Sequence, residues 1–220
     1  MKFKFDKFIQ GKTIDLCVAT EEIAYESDWY KWFNDKSINK YLIQGKFPNT
    51  RIQQRDYFIS ELSKKRLLLL IVTKESLLKG VISLSKIDFE NNSADLALVV
   101  NDKISRKKCL LGALEAVALI SQHGFDIMRL DRIYARQSRS LSSWQKRMEL
   151  LGYRVEGIHK NDFYEKIIKR LNSVNWRSKL NYFSFHLSNP IVSSFRNSIL
   201  KILVKNNKFL DSYLGNIYRD

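Results

Sequence analysis

The residues best suited to chemistry lie in one run, Val99-Val100-Asn101-Asp102-Lys103-Ile104-Ser105-Arg106-Lys107-Lys108-Cys109-Leu110-Leu111-Gly112-Ala113. An apolar strand ends there, a loop with four basic side chains follows, and a helical pattern opens with the small residues Gly112, Ala113 and Ala116 near its start. The first N–H groups of a helix have no partner inside it, and the helix dipole is positive at that end, so flanking Arg and Lys complete an anion site. A phosphate or pyrophosphate is the natural guest. The same residues would also serve as a solvated basic loop ahead of an ordinary core helix. The run is neither a P-loop nor GxGxxG, so the common nucleotide triphosphate and dinucleotide folds find no support. Metal and disulfide chemistry are disfavoured too: Cys17 and Cys109 stand far apart without a CxxC, and His123, His159 and His186 lack ligand spacing.

Such a loop needs a sheet behind it. Residues 13 to 19 alternate well enough for a strand, and Thr20 followed by Glu21 and Glu22 reads as a helix start. Helical residues run through Trp29 to Phe33. After Pro48, Thr50 with Gln53 gives a capping-box signature for a helix over roughly residues 51 to 65. Leu67 to Thr73, Gly80 to Phe89 and Ala94 to Val100 then read as an antiparallel meander. The period changes to 3.6 with Leu110, Leu111, Leu114, Val117 and Ala118, and Gly124 stands where a helix C-terminal glycine would. Asp131 to Gln137 is a fifth-strand pattern in this series, Leu141 to Leu151 a helix stopped by Gly152, and Tyr153 to His159 a strand.

Beyond residue 160, Phe163 to Leu171 reads as helix, Tyr182 to Leu187 as strand, and Pro190 onward as helix. Ile191, Val192, Phe195, Ile199, Ile202 and Leu203 would share one face, with Arg196, Lys201, Lys205 and Lys208 largely elsewhere. That is a basic amphipathic helix, suited to a membrane surface or a partner, or to packing on its own domain. The fold class expected is mixed α/β, a central twisted mixed sheet flanked by helices. Residues 1–187 form the domain and 188–220 a C-terminal helical extension.

The chain has 220 residues, 45% hydrophobic and 12% aromatic, with only 8 Gly and 2 Pro, which suits one globular core rather than disorder or repeats. The N-terminus is charged at nearly every second position and the longest aliphatic run is Leu67 to Val72, which disfavours a signal peptide or a membrane span and makes a cytoplasmic location the expectation. The net charge is +15, and it is uneven: residues 1 to 100 carry 16 basic and 13 acidic side chains, the rest 22 and 10. A field of that sign concentrates anions such as nucleotides, phosphorylated cofactors, nucleic acid or acidic lipid.

Three segments in order carry a resemblance: the strand, basic turn and helix just described; Gly124-Phe125-Asp126-Ile127-Met128-Arg129-Leu130-Asp131-Arg132-Ile133-Tyr134-Ala135; and Leu150-Leu151-Gly152-Tyr153-Arg154-Val155-Glu156-Gly157. Together they resemble the GNAT superfamily of acyl-CoA-dependent N-acetyltransferases, in the branch of ribosomal-protein N-terminal and amino-sugar acetyltransferases. Trp32-Phe33-Asn34-Asp35, with Ile38 and Tyr41, is similar to that branch's opening helix and substrate loop. The resemblance spans about residues 13 to 160.

It implies acetyl-CoA as donor and no metal. The family's Gln/Arg-x-x-Gly-x-Gly/Ala falls on Lys108-Cys109-Leu110-Leu111-Gly112-Ala113, with Leu111 replacing the first glycine, which implies either a looser pyrophosphate site or a register shifted so that Gly112 is in the loop. Leu98, Val99 and Val100 would offer backbone groups to the pantetheine arm, and loop residues Arg106, Lys107, Lys108, Cys109, Leu110, Leu111 and Gly112 would hold the phosphates, with Ala113 behind them. Asp95 matches a position where many members keep a carboxylate that deprotonates the amine. The family's frequent Tyr general acid falls on Met148, which cannot donate a proton; Tyr134, Ser138, Ser142 and Ser143 lie nearby in the pattern. Cys109 is a small residue rather than a nucleophile, because direct transfer needs none. Trp29, Trp32, Asn34 and Tyr41 are the expected acceptor-binding residues. The positive charge weighs against a polyamine and toward an anionic acceptor, an amino-sugar nucleotide first and a protein N-terminal amine next; homodimerisation is a family expectation. The alternative is a catalytically degenerate module that binds nucleic acid or anionic membrane through its basic surface.

Overall fold

The computed structural model describes residues 3–40, 42–101, 106–159 and 166–173. β1 (Lys7–Gln10) and β2 (Ile14–Val18) make an antiparallel hairpin, and β3 (Leu67–Thr73), β4 (Leu78–Asp88) and β5 (Ser93–Val100) extend it as the expected meander. β6 (Arg132–Ser138) joins β5 in parallel, and β7 (Arg154–His159) and β8 (Lys166–Asn172) complete one eight-stranded sheet in the order β1-β2-β3-β4-β5-β6-β8-β7.

Successive strand side chains face opposite ways, so β2, β3 and β4 feed two cores. On one side Leu16, Leu69, Ile71, Ile82 and Leu84 meet Ala116, Val117 and Ile120 of α5 (Arg106–Asp126) and Met148 of α6 (Ser142–Leu150). On the other, Cys17, Leu70, Val72 and Val81 meet α1 (Glu21–Glu26), α2 (Trp29–Trp32) and α4 (Arg51–Leu62) through Ile23, Trp29, Trp32 and Phe58. Full burial of each large apolar side chain contributes about 1.5–3 kcal/mol. Between α2 and α4 lie α3 (Lys36–Asn39) and a 3₁₀ turn, Ile43–Lys46.

The local signals act where they were read. Thr20 Oγ1 accepts from Ile23 N at 3.3 Å, and Thr50 and Gln53 close a reciprocal capping box at 3.2 and 2.9 Å. Gly152 follows α6 at φ 93°, a conformation costly for any residue with a Cβ. Three readings change. Gly124 lies within α5, which ends two residues later; the N–H groups of Ile127 and Met128 both reach the His123 carbonyl, and Arg129 takes the left-handed turn at φ 59°. Arg106–Gly112 is not loop but the opening of α5, consistent with the helix propensity of Arg, Lys and Leu. Finally, Lys166–Asn172 is strand, not helix. It fills the slot between β6 and β7 and pairs antiparallel with both, so a double ladder overrides a local pattern that suits either state. The strand expected at Tyr182 to Leu187 and the helical extension 188–220 lie outside the described residues.

Candidate active site

β5 and β6 begin side by side and then part. Their parallel ladder runs from Ser93↔Arg132 to Leu96↔Ala135 and ends, although β5 stays paired with β4 to Val100↔Gly80 and β6 with β8 to Ser138↔Lys166. Each strand is held by its outer neighbour while the inner edges separate, so Ala97 to Val100 have no ladder partner on that side among the described residues. A cavity of about 460 Å³ occupies the opening. It passes through the sheet: Val117, Trp144 and Met148 line it from the α5–α6 side, and Trp29, Phe33 and Tyr57 from the other.

Asp95 lines this cavity and is its one carboxylate among the described residues. Its Oδ2 accepts from Arg136 on β6 and lies 3.2 Å from the Lys86 amine. The β4–β5 register shifts between Ser85 and Asp88, and Lys86 sits in that bulge at φ 50°. Bulges re-aim side chains, and here one brings a lysine to the wall that holds Asp95. At the opposite end, Arg66 donates to Tyr57 Oη at 2.8 Å, to Ser83 Oγ at 2.9 Å and to buried Glu61. Burial pushes the Glu61 carboxyl up, but hydrogen bonds from Lys64 and Arg66 outweigh it and hold the group below its ordinary range. Arg66 is thereby fixed, with its Nε buried and without a hydrogen-bond partner among the described residues.

The residues named from the sequence divide. Asp95, Leu98, Val99 and Trp29 line the cavity. Val100 ends β5 beside it. Arg106, Lys107, Lys108, Cys109, Leu110 and Leu111 form the opening of α5, just beyond the end of β5. Gly112 and Ala113 are buried in the next turn; a Cβ on Gly112 would stand 2.9 Å from Ile14 Cγ2, so this glycine serves the close packing of α5 on β2. Trp32 is buried in the core beneath α2, away from the cavity lining. The Asn34 side chain is spent on Asn49, donating to its carbonyl and accepting from its N–H, both at 2.7 Å, which ties the α2–α3 turn to the start of α4. Tyr41 lies outside the described residues. Of the four hydroxyls near the missing general acid, Ser138 lines the cavity, hydrogen-bonded to Ser140 at 2.7 Å.

Lys86, Arg136, Arg66, Tyr57, Ser83 and Ser85 were not singled out from the sequence. The available signal was weak: Arg136 stands two residues after Tyr134, the partner of Asp95 across the parallel ladder, so both share a face. Lys86 could not be placed without knowing the bulge. Among the described residues no cluster of three or more His, Cys, Asp or Glu could hold a metal, and no helix is long and apolar enough to cross a membrane.

The gap fits an acyl-CoA. The β5 edge without a ladder partner among the described residues could offer backbone donors and acceptors to an amide-bearing arm, and α5 is a 21-residue helix whose first turn includes Lys107 and Lys108 in sequence. Solved structures share this architecture. A GCN5-related N-acetyltransferase from Brucella melitensis is 18% identical with TM-score 0.64, over 90% of this chain and 96% of that one. Spermidine N-acetyltransferase from Vibrio cholerae, in complex with CoA and spermine, is 12% identical with TM-score 0.63, over 75% and 98%. The microcin C7 self-immunity acetyltransferase MccE, in complex with acetyl-CoA and AMP, is 19% identical with TM-score 0.62, over 74% and 93%. No curated protein matches the chain in sequence. The family model of the acetyltransferase (GNAT) domain matches residues 22–154, which takes in the α1–α4 wall, the meander, the open β5–β6 pair and α6, and with that match the chain belongs to the GNAT family of acyl-CoA-dependent N-acetyltransferases.

Proposed function

We propose that the protein acetylates the primary amine of an anionic acceptor, an amino-sugar nucleotide in first place and a protein N-terminal amine next, with Asp95 as the base. The observation that carries this reading is the one carboxylate of the cavity among the described residues, set at the β5–β6 opening between two cations, Lys86 and Arg136. An ammonium group must lose a proton before its lone pair can attack, and a carboxylate within hydrogen-bond reach takes that proton directly or through water. With the amine on Asp95, the two cations are left for an anionic group on the same acceptor. A polyamine would instead bring more positive charge against Lys86, Arg136 and Arg66.

Acetyl-CoA supplies the thioester carbonyl. The edge of β5 from Ala97 to Val100 would hold its pantetheine arm, and the first N–H groups of α5 with Lys107 and Lys108 its phosphates. Met148 leaves the departing thiolate without a side-chain acid, and Ser138, a hydroxyl of the cavity wall, can pass it a solvent proton. Two of the ligand-bound fold relatives were solved in complex with spermine and with AMP, molecules of opposite charge, so fold alone does not choose between such ligands.

The test is CoA release with amino-sugar nucleotides, peptides with free N-termini, and spermidine. The expected order of kcat/KM is the order just given. Spermidine as the best acceptor would overturn the anionic reading.

A further inference from the structure

The amine nearest Asp95 belongs to the protein itself. Lys86 Nζ lies 3.2 Å from Asp95 Oδ2, where the amine of an acceptor would have to sit to surrender its proton. Its backbone is at φ 50°, which a residue with a side chain keeps only when its surroundings enforce it, and the bulge that enforces it also puts Lys86 in the cavity wall. The Lys86 side chain is 71% exposed, whereas Asp95 is 21% exposed, so a solvent-accessible amine faces a half-buried carboxylate. Arg136 helps to fix that carboxylate through its ion pair with the same Asp95 oxygen.

We propose that Lys86 is itself an acceptor: without a bound substrate, the protein acetylates its own Lys86 Nζ. This rests on Asp95 acting as base with the donor thioester in the β5–β6 opening. Asp95 takes one proton from the Lys86 ammonium. The nitrogen lone pair forms a C–N bond with the thioester carbonyl carbon, and the C–S bond breaks with its electron pair moving to sulfur. The proton that the nitrogen sheds on becoming an amide goes to the thiolate, giving CoA thiol, and Asp95 returns its proton to solvent. The product lacks one of the two cations beside Asp95, so the modification weakens the cavity's hold on an anionic acceptor while an anionic acceptor bound there protects Lys86.

The native protein is incubated with acetyl-CoA and no acceptor, and acetylation is followed by intact mass and peptide mapping. One acetyl group on Lys86 is expected, at a rate per molecule independent of protein concentration and faster than at the exposed Lys31 and Lys64. Asp95→Asn should slow the labelling about a hundredfold. Lys86→Arg should abolish it while keeping the charge and the unfolding temperature. Labelling no faster than at Lys31 and Lys64, undiminished in Asp95→Asn, or rising in rate with protein concentration would overturn the proposal. Turnover of an added acceptor with Lys86 unlabelled would sink this inference alone; neither turnover nor label would take the Asp95 reading down with it.

Discussion

Lys169, on β8, is 1% exposed, and its amine donates to Gln137 on β6. Burial lowers its pKa to about 8, with Glu149 opposing from a distance. The unfolded chain therefore holds a proton that the folded one has lost between about pH 8 and the ordinary lysine value of 10.5, and stability rises with pH across that window. Lys169→Met is expected to raise Tm near neutral pH and flatten the rise, a difference on the order of 1–3 kcal/mol. Thermal unfolding at neutral and alkaline pH checks it; a wild-type Tm that falls over the window would count against the buried amine. Asp95→Asn is expected to lower turnover about 10²–10⁴-fold with acetyl-CoA affinity unchanged, read by steady-state kinetics beside calorimetry. The place of Asp95 in the cavity wall was legible because a resemblance pointed to its strand position. Its partners were not, since Lys86 reaches it through a bulge and Arg136 through a parallel ladder to a strand some forty residues on.

Among the elements, the open β5–β6 pair and the start of α5 are the proposed donor side. Reversing Lys107 and Lys108 to Glu is expected to weaken acetyl-CoA binding by at least about tenfold, because two attractive charges beside the phosphates become repulsive. Titration calorimetry reads this directly, and unchanged affinity would remove α5 from the phosphate site. Elements with local punctuation were readable: the Thr50–Gln53 box, the aliphatic run of β3 and the stop at Gly152. β1 was missed because its four residues gain their order from β2 and from the turn that Glu115 of α5 receives, accepting from Thr13 N at 3.0 Å. The helix expected over Phe163 to Leu171 failed for the complementary reason, a vacancy between two strands that no local window contains.

For the molecule as a whole, acetyl-CoA at about 100 times Kd should add roughly 2.7 kcal/mol of stability, or about 5–11 °C in Tm. ATP and inorganic pyrophosphate at the same moderate salt should shift it less; equal shifts would mean that the excess of basic residues after residue 100 attracts any polyanion without a thioester site. The strand order carries one more consequence, for the chain as it is made. β8 is the last described strand in the sequence but lies between β6 and β7. A ribosome delivers residues in chain order, so β7 emerges with no neighbour to join, and the outer edge of β6 stays bare until residues 166–172 follow. A nascent chain paused in that interval exposes an unsatisfied strand edge, the form most prone to pair with another copy. Residues 166–172 thus close both edges at once, and a chain stopped before them is expected to aggregate more readily than one that contains them.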